Sequence, residues 1–151
     1  MPKRVKAAAA SKQIVVDSGP FIALFDRSDR FHSQALGFFK RAGHSSLISN
    51  LAVVTEVTHL LDFSFAAQRD FLQWAERALV LDDETVGDWP GILMLLDKYQ
   101  ALPADFADAS LVALCERLNC FDVASVDSDF TVYRAQKNKP FRNLFSDEAL
   151  A

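Results

Sequence analysis

The stretch that decides the fold is IVVDSGPFIALF, residues 14–25. Its first three residues are apolar and β-branched, which is typical of a buried parallel strand, and this run stops abruptly at Asp17. Ser18-Gly19-Pro20 then turns the chain, and Pro20 stands where the first turn of a helix tolerates proline. The apolar residues after it predict a helix to Phe25. The stretch therefore predicts a strand that leads into a helix, with an aspartate at the junction.

The rest of the chain repeats this alternation of short strands and helices. Further strands are predicted at residues 47–48, 79–81 and 121–126, with 141–145 as a candidate fifth strand. Helices are predicted at 32–41, 51–61, 64–77, 88–99 and 105–118, and Pro103 is predicted to end the connection before the last of them. In the helix at 64–77 the predicted inner face is Phe65, Phe71, Leu72 and Ala75. This order predicts an α/β fold, a three-layer α/β/α sandwich with a central, mainly parallel sheet of four to five short strands.

The composition fits one globular domain. The chain has 151 residues, of which 50% are hydrophobic, and 13 Phe against 2 Trp and 2 Tyr predict a core of rings that need no hydrogen-bond partner. These figures exclude a disordered chain and a collagen-like one. No repeat or linker interrupts residues 13–145, which we predict to be a single domain. Residues 1–12 are predicted to be a flexible basic arm and residues 146–151 a C-terminal tail.

The cysteines indicate the compartment. Cys115 and Cys120 form no CxxC motif and have no histidine beside them, so we expect reduced thiols in the core and a cytoplasmic protein. No apolar run approaches the roughly 18–20 residues that span a bilayer, so no membrane association is expected.

Carboxylates stand at positions that a parallel sheet would bring together. Asp17 and Asp127 directly follow apolar strands, and the carboxyl ends of neighbouring strands meet in one crevice. Glu56 lies within an otherwise apolar helix, where a buried carboxylate without a partner is costly. Asp108 lies in the first turn of the helix that begins at Asp105. Converging carboxylates repel one another unless cations bind between them, and such oxygen-rich sites suit Mg²⁺ or Mn²⁺.

A site of this kind suits phosphodiester hydrolysis, because a bound metal lowers the pKa of water and stabilises charge on the phosphate. Some of the acids also have a purely structural interpretation. Asp17 fits a turn or cap residue, and Asp105 fits an N-cap with Asp108 in the first turn that the helix dipole favours. The joint pattern is more specific than any one of these acids.

The segments around these acids resemble the PIN-domain family, and in size and order the VapC-type toxin ribonucleases of VapBC toxin-antitoxin pairs. The resemblance covers about residues 13–145. It rests on VVDS at residues 15–18, TEV at 55–57, DFADASLVAL at 105–114 and VASVDSDF at 123–130.

The resemblance implies an endoribonuclease that depends on Mg²⁺ or Mn²⁺, with an RNA substrate, a homodimeric assembly and a cognate antitoxin that blocks the site. Its catalytic and metal-binding acids map onto Asp17, Glu56, Asp108 and Asp127. Two positions depart from the family pattern. Ser125 stands where the family more often has Thr, which keeps the hydroxyl, and Asp129 competes with Asp127 as the fourth acid. We favour Asp127, because Asp129 precedes Phe130 in a predicted short helical turn.

Each of these residues then has an expected role. Asp17 and Asp127 hold the principal metal ion, Asp108 shares in binding it, and Glu56 binds metal or orients the attacking water. Substrate or second-layer contacts are expected from Ser18, Asp105, Ser125 and Asp129.

Other acid-rich α/β chemistries fit less well. A haloacid-dehalogenase-like phosphatase needs a second Asp two residues after its nucleophile, where this chain has Gly19. A receiver domain needs paired acids and a late Lys, whereas the acids at 82–84 follow a middle strand. Glu56-Val57-Thr58-His59 has the spacing of di-iron bundles but occurs once. The alternative that stays open is a PIN-like fold used as a catalytically inactive RNA-binding or protein-interaction module.

The net charge of −4 argues against a protein that holds nucleic acid by charge alone. The charges are unevenly distributed, however, because 18 of the 20 acids lie in residues 13–133. Half of the 16 basic residues lie near the ends, at Lys3, Arg4, Lys6, Lys12, Arg134, Lys137, Lys139 and Arg142. RNA binding is therefore expected to depend on metal, with help from these basic segments.

Overall fold

The computed structural model describes residues 11–102 and 104–146, and strands alternate with helices along them. The strands are β1 (Gln13–Val16), β2 (Ser46–Asn50), β3 (Leu79–Asp82), β4 (Asp122–Ala124), β5 (Arg134–Ala135), β6 (Lys139–Pro140) and β7 (Arg142–Asn143). The α-helices are α1 (Ser18–Phe25), α2 (His32–Arg41), α3 (Leu51–Leu60), α4 (Phe65–Ala78), α5 (Trp89–Lys98) and α6 (Phe106–Leu118). Pro103, and the parts of the predicted arm and tail at 1–10 and 147–151, lie outside the described residues.

Five strands form one parallel sheet in the order β3-β2-β1-β4-β7. From β1 the chain moves outward to β2 and β3, and then crosses back to β4 on the other side of β1. Right-handed crossovers therefore place α1–α4 on one face of the sheet and α5–α6 on the other. This is the predicted α/β/α sandwich. The strand order reverses between β1 and β4, and such a reversal opens a crevice at their carboxyl ends.

Aromatic rings fill much of the core, as the composition predicted. Phe21 of α1 packs against Phe39 of α2 and Phe71 of α4, with ring centroids 5.9 and 5.6 Å apart. Trp74 joins them at 5.7 Å from Phe21. Such pairs add to the free energy gained by burial alone, so this cluster fixes α1 against α2 and α4.

Short polar side chains begin three of the helices. Asn50 accepts a hydrogen bond from Val53 N and caps α3, while Ser64 caps α4 through Ala67 N. Asp105 accepts from Asp108 N at 2.8 Å and caps α6, as one interpretation of the sequence had it. The helix starts are therefore determined by residues that the sequence makes visible.

The predicted inner face of α4 was partly wrong. Phe71 and Ala75 are buried, but Phe65 is 77% exposed and Leu72 43% exposed. Since α4 packs on the outside of α1 and α3, it buries a narrower stripe than its apolar residues suggest.

The strands at the end of the chain are shorter than predicted. The strand expected at 121–126 forms ladder bonds only as β4, because the backbone N–H and C=O of Ser125 bond to the side chain of Asn143 instead of to another strand. The strand expected at 141–145 is reduced to β7, and the hairpin of β5 and β6 was not predicted at all.

Gly19 lies so close to Val126 that there is no room for a side chain at this position. A Cβ at this position would lie 2.1 Å from Val126 Cγ2, so a larger residue would push the start of α1 away from the segment after β4. The two cysteines are free and buried, as expected. Among the described residues, no helix has the length and apolarity needed to cross a bilayer.

Candidate active site

Asp17 lies at the carboxyl end of β1 and is almost fully buried. Its Oδ1 accepts a hydrogen bond from Ser18 N at 2.7 Å, and its Oδ2 accepts one from the Ser125 hydroxyl at 3.0 Å. Both carboxylate oxygens are thereby fixed in orientation. The sequence placed Asp17 at this edge of the sheet, and the structure agrees.

Ser125 joins the two strands that end in acids. Its hydroxyl donates to Asp17 and also accepts from the backbone N–H of Asp127, at 3.0 Å in each case. The backbone of Ser125 is itself held by Asn143, whose Oδ1 accepts from Ser125 N and whose Nδ2 donates to Ser125 O. Ser125 therefore holds the side chain of one acid and the backbone of the other.

Glu56 reaches the same pocket from α3. The hydroxyl of Ser18 donates to Glu56 Oε1 at 3.0 Å and lies 3.5 Å from Asp17 Oδ1. This places Glu56 beside Asp17, with one hydroxyl between them. A cleft of about 360 Å³ opens next to this pair and is lined by Thr55, Glu56, Asp105 and Phe106 among others.

Asp108 projects from the first turn of α6 and is half-buried. Its Oδ2 accepts a hydrogen bond from the Tyr133 hydroxyl at 3.2 Å. The Tyr133 ring is buried and packs edge-on against Tyr99, with centroids 5.0 Å apart. A rigid aromatic side chain therefore sets the position of this carboxylate.

Asp127 and Asp129 complete the site at the start of a 3₁₀ turn, Ser128–Thr131. Asp127 Oδ1 accepts from Asp129 N at 3.0 Å. Carboxylate oxygens of Asp108, Asp127 and Asp129 all lie within 4.8 Å of one another, so the structure brings both candidates for the fourth acid into the cluster. The short helical turn predicted around Phe130 is confirmed.

The crowding of acids raises pKa values. Burial raises the pKa of Asp17 from 3.8 to about 6, although the hydrogen bonds from Ser18 and Ser125 oppose this. Burial, together with the charges of Asp17 and Asp105, raises the pKa of Asp108 from 3.8 to about 7. The pKa of Glu56 is raised chiefly by its partial burial. The metal-free pocket therefore favours protonated acids, because it concentrates negative charge away from water.

Asp105 has a second effect besides capping α6. Its negative charge raises the pKa of Asp17, Glu56 and Asp108, so it lies close enough to act on all three. The structure thus brings all eight predicted site residues to one place. Seven lie at the carboxyl ends of β1 and β4 or at the starts of α1 and α6, and Glu56 reaches them from α3.

Asp82, Glu84 and Asp88 form ion pairs with an arginine and are not part of this site. Arg117 forms ion pairs with Asp82 at 2.7 Å, with Asp88 at 3.0 Å and with Glu84 at 3.1 Å. These pairs join the end of β3 and the start of α5 to α6, so they stabilise the fold.

Sequence reasoning missed Tyr133 and Asn143. Tyr133 bonds to Asp108, 25 residues earlier, and Asn143 bonds to Ser125, 18 residues earlier. The sequence contains no signal for either residue, since Tyr133 lies between Val132 and Arg134, Asn143 lies between Arg142 and Leu144, and neither pair of neighbours forms a motif. Asn50, which caps α3, also donates from its Nδ2 to the buried Ser110 Oγ and ties α3 to α6.

The donor set fits a divalent cation. The carboxylate oxygens of Asp108, Asp127 and Asp129 lie close enough to bind one ion. Such hard oxygen donors are the ligands that Mg²⁺ and Mn²⁺ prefer. The raised pKa values of Asp17 and Asp108 also favour a cation here, because a cation would relieve the repulsion between carboxylates that causes part of each pKa shift.

Comparison with known proteins agrees with this fold. The sequence matches the PIN domain family over residues 14–136, so the chain belongs to that family, whose members include nucleases. The structure is similar to that of the Mycobacterium tuberculosis toxin VapC20, described as a toxin that cleaves the sarcin-ricin loop. The TM-score is 0.68 at 19% identity, and the match covers 79% of this chain and 93% of VapC20. A likeness at this identity shows the fold. Comparison with curated proteins gives no match.

Proposed function

We propose that residues 13–145 form a nuclease domain that hydrolyses RNA with the help of Mg²⁺ or Mn²⁺, and that the chain is the toxin of a toxin-antitoxin pair. The observation that supports this most is the continuous set of contacts from Glu56 through Ser18, Asp17 and Ser125 to Asp127. A binding module without catalysis has no need for a hydrogen-bonded acid pocket whose members raise one another's pKa values.

Asp17, Asp108 and Asp127 would hold the metal. Of these, Asp108 and Asp127 form a group of close carboxylate oxygens together with Asp129, and Asp17 is linked to Asp127 through the Ser125 hydroxyl. When bound, the ion would make a water more acidic and offset charge on the phosphate. Glu56 would orient that water and accept its proton, since its Oε1 is fixed by Ser18 while it borders an open cleft. The products would carry 5′-phosphate and 3′-hydroxyl ends.

An antitoxin is the proposed partner. Apolar side chains are exposed around the junction of α3 and α4, including Phe63, Phe65 and Leu72, and a cleft of about 420 Å³ lies beside them. An apolar segment of a partner would cover these side chains, and a basic side chain of that partner would neutralise the acids.

A homodimer is proposed on similar grounds. Leu51, Val86 and Phe106 are exposed and line one cleft of about 320 Å³, and the Trp89 ring packs at a tilt against Phe106 at a centroid distance of 5.5 Å. Exposed apolar patches of this kind mark protein interfaces. Free thiols and the expected RNA substrate support a cytoplasmic setting.

The test is cleavage of total cellular RNA by the purified chain with Mg²⁺ or Mn²⁺. We expect cleavage by the wild type and none by Asp17→Asn or in excess EDTA, and sequencing of the cut ends should show 5′-phosphates. The matched control is Asp62→Asn, which removes an exposed carboxylate at the end of α3 and should cut like the wild type. Cleavage by Asp17→Asn, or by the wild type in EDTA, would contradict the metal mechanism.

A further inference from the structure

A second cleft lies at the opposite end of α6 from the acids. Its volume is about 500 Å³, and its walls come from the β5–β6 hairpin and the link between α6 and β4. We call it the hairpin cleft, and its polar walls are Lys137, Asn138, Lys139, Asn119 and Glu116. This volume lies within the range of sites that bind small ligands or parts of larger ones.

The hairpin cleft is positively charged on one side. Residues 134–142 contain Arg134, Lys137, Lys139 and Arg142 and no acid, although the chain as a whole is acidic. The Lys139 ammonium lies 3.9 Å from the centroid of the Phe121 ring, which holds the charge at the wall of the cleft. Among the described residues that line the cleft, Glu116 is the only acid, and it already interacts within the chain.

The tip of the hairpin has an unfavourable backbone. Lys137 and Asn138 have φ values of 59° and 60°, in the left-handed region that residues with a Cβ seldom adopt. Two such residues in succession keep Lys137 beside Lys139 in a tight turn. Positive φ at both central residues is the geometry of the tight turns that close two-residue β-hairpins, so this backbone fixes where the two lysines lie.

The hairpin is joined to the acid site by direct contacts. The Tyr99 hydroxyl accepts a hydrogen bond from Arg134 N at 2.7 Å, and the next residue back, Tyr133, bonds to Asp108. Asp108 and Glu116 are eight residues apart in α6, and at about 1.5 Å per residue this places the hairpin cleft roughly 12 Å along the helix from the acids. One RNA strand would therefore reach both places.

We propose that the hairpin cleft binds the phosphate backbone of the RNA substrate, through Lys137 and Lys139, beside the nucleotides at the acid site. This inference rests on the proposed function for the identity of the ligand. The acid site repels phosphates until metal is bound, so the affinity for the rest of the strand has to come from basic residues elsewhere.

The test measures binding of a fluorescently labelled single-stranded RNA of about 20 nucleotides, because contacts to phosphates do not depend on sequence. The measurement uses fluorescence anisotropy in the Asp17→Asn background with Mg²⁺ present, so that the strand stays intact. Lys137→Gln with Lys139→Gln is compared with Lys40→Gln with Arg77→Gln, which removes the same charge from exposed sites on α2 and α4.

We expect the hairpin variant to bind about tenfold more weakly, and the slope of log affinity against log salt to fall by about 1.4, since each phosphate contact to a single strand contributes about 0.7. The control pair should bind like the parent, and Lys137→Arg with Lys139→Arg should restore affinity. Thermal unfolding of each variant checks that the fold is kept.

Parental affinity in the hairpin variant, or an equal loss in the control pair, would overturn the inference. The binding measurement and the cleavage measurement can fail independently of each other. Wild-type protein that cuts RNA while the hairpin variant keeps parental binding overturns only the inference. A chain that binds RNA through Lys137 and Lys139 but cuts none contradicts only the nuclease proposal.

Discussion

The Ser125 hydroxyl lies between Asp17 Oδ2 and the backbone N–H of Asp127, 3.0 Å from each. One side chain therefore sets the spacing between two acids that follow different strands. Because Asn143 in turn holds the Ser125 backbone, the position of both acids depends on β7, the last strand of the sheet.

Ser125→Ala should weaken metal binding although it removes no carboxylate. The loss of one hydrogen bond to Asp17 raises the pKa of that acid and frees its Oδ2, and partners of metal ligands commonly contribute about 10- to 100-fold in affinity. The measurement is a Mn²⁺ titration by calorimetry. Ser125→Thr keeps the hydroxyl and should bind like the wild type, whereas wild-type affinity in Ser125→Ala would show that the bridge is unimportant.

Asp17→Asn should stabilise the metal-free protein, with an effect that depends on pH. The pKa of Asp17 is raised from 3.8 to about 6, so the folded protein binds this proton more tightly than the unfolded chain does. The stability associated with the protonated acid is full below about pH 4 and is lost as pH rises through 6, a difference on the order of 3 kcal/mol. Urea unfolding at pH 4 and pH 8 should show Asp17→Asn gaining stability over the wild type at pH 8 only.

The exposed change Asp62→Asn is the control for this measurement and should follow the wild type at both pH values. Added Mg²⁺ should stabilise the wild type at pH 8 and leave Asp17→Asn unchanged. An Asp17→Asn variant that metal stabilises as much as it does the wild type would contradict the assignment of Asp17 as a ligand.

Metal affinity itself should rise with pH. The pKa values of about 6 for Asp17 and about 7 for Asp108 mean that protons compete with the metal below neutral pH. We expect Mn²⁺ affinity to rise steeply between pH 5.5 and about 7.5 and to level off above pH 8. Calorimetry in two buffers of different ionisation enthalpy should detect proton release at pH 6 and little at pH 8.5. An affinity that does not change over this range would be the contrary result.

Tyr133→Phe should weaken metal binding most strongly near pH 6 to 7. The Tyr133 hydroxyl lowers the pKa of Asp108 through its hydrogen bond, so its removal raises that pKa further and strengthens competition by protons. Affinity should recover at pH 8.5. Tyr99→Phe is the matched control, because the Tyr99 hydroxyl bonds to the backbone of Arg134 and to no acid. A loss that is the same at every pH would indicate a structural role instead.

Asn143→Ala should destabilise the fold and impair the site together. It leaves the N–H and C=O of Ser125 and the N–H of Phe145 without their partner, at about 1 kcal/mol or more for each buried group. Urea unfolding should report a loss of roughly 3 kcal/mol, while Gln73→Ala on the exposed side of α4 should have little effect. An unchanged unfolding midpoint in Asn143→Ala would show that β4 and β7 are held by other contacts.

The sequence predicts the parts of the site that follow a local rule. Asp17 and Asp127 come directly after apolar strands, and Asp105 and Asp108 occupy the first turn of a helix, so their positions follow from chain geometry. Asn143 follows no such rule, because it replaces ladder bonds with side-chain bonds to a residue 18 positions away.

The error at Phe65 has a different cause. Helical spacing predicts which residues share a face but leaves open how wide the buried stripe is, and that width depends on how α4 lies against α1 and α3. The hairpin at 134–140 was missed because each of its strands has only two residues, which is too short to show an alternation of apolar and polar residues.

Because Asn143 supports Ser125, it also determines when the acid site can form during synthesis of the chain. A ribosome adds about 5–20 residues per second, so the synthesis of Asn143 follows that of Asp17 by on the order of ten seconds. During that interval the first strand and its aspartate exist, but the bridge that orients the aspartate lacks its support. If the domain cuts RNA as proposed, the nascent chain therefore acquires an ordered acid pocket only after Asn143 has been translated, so a shorter nascent chain would lack the ordered site.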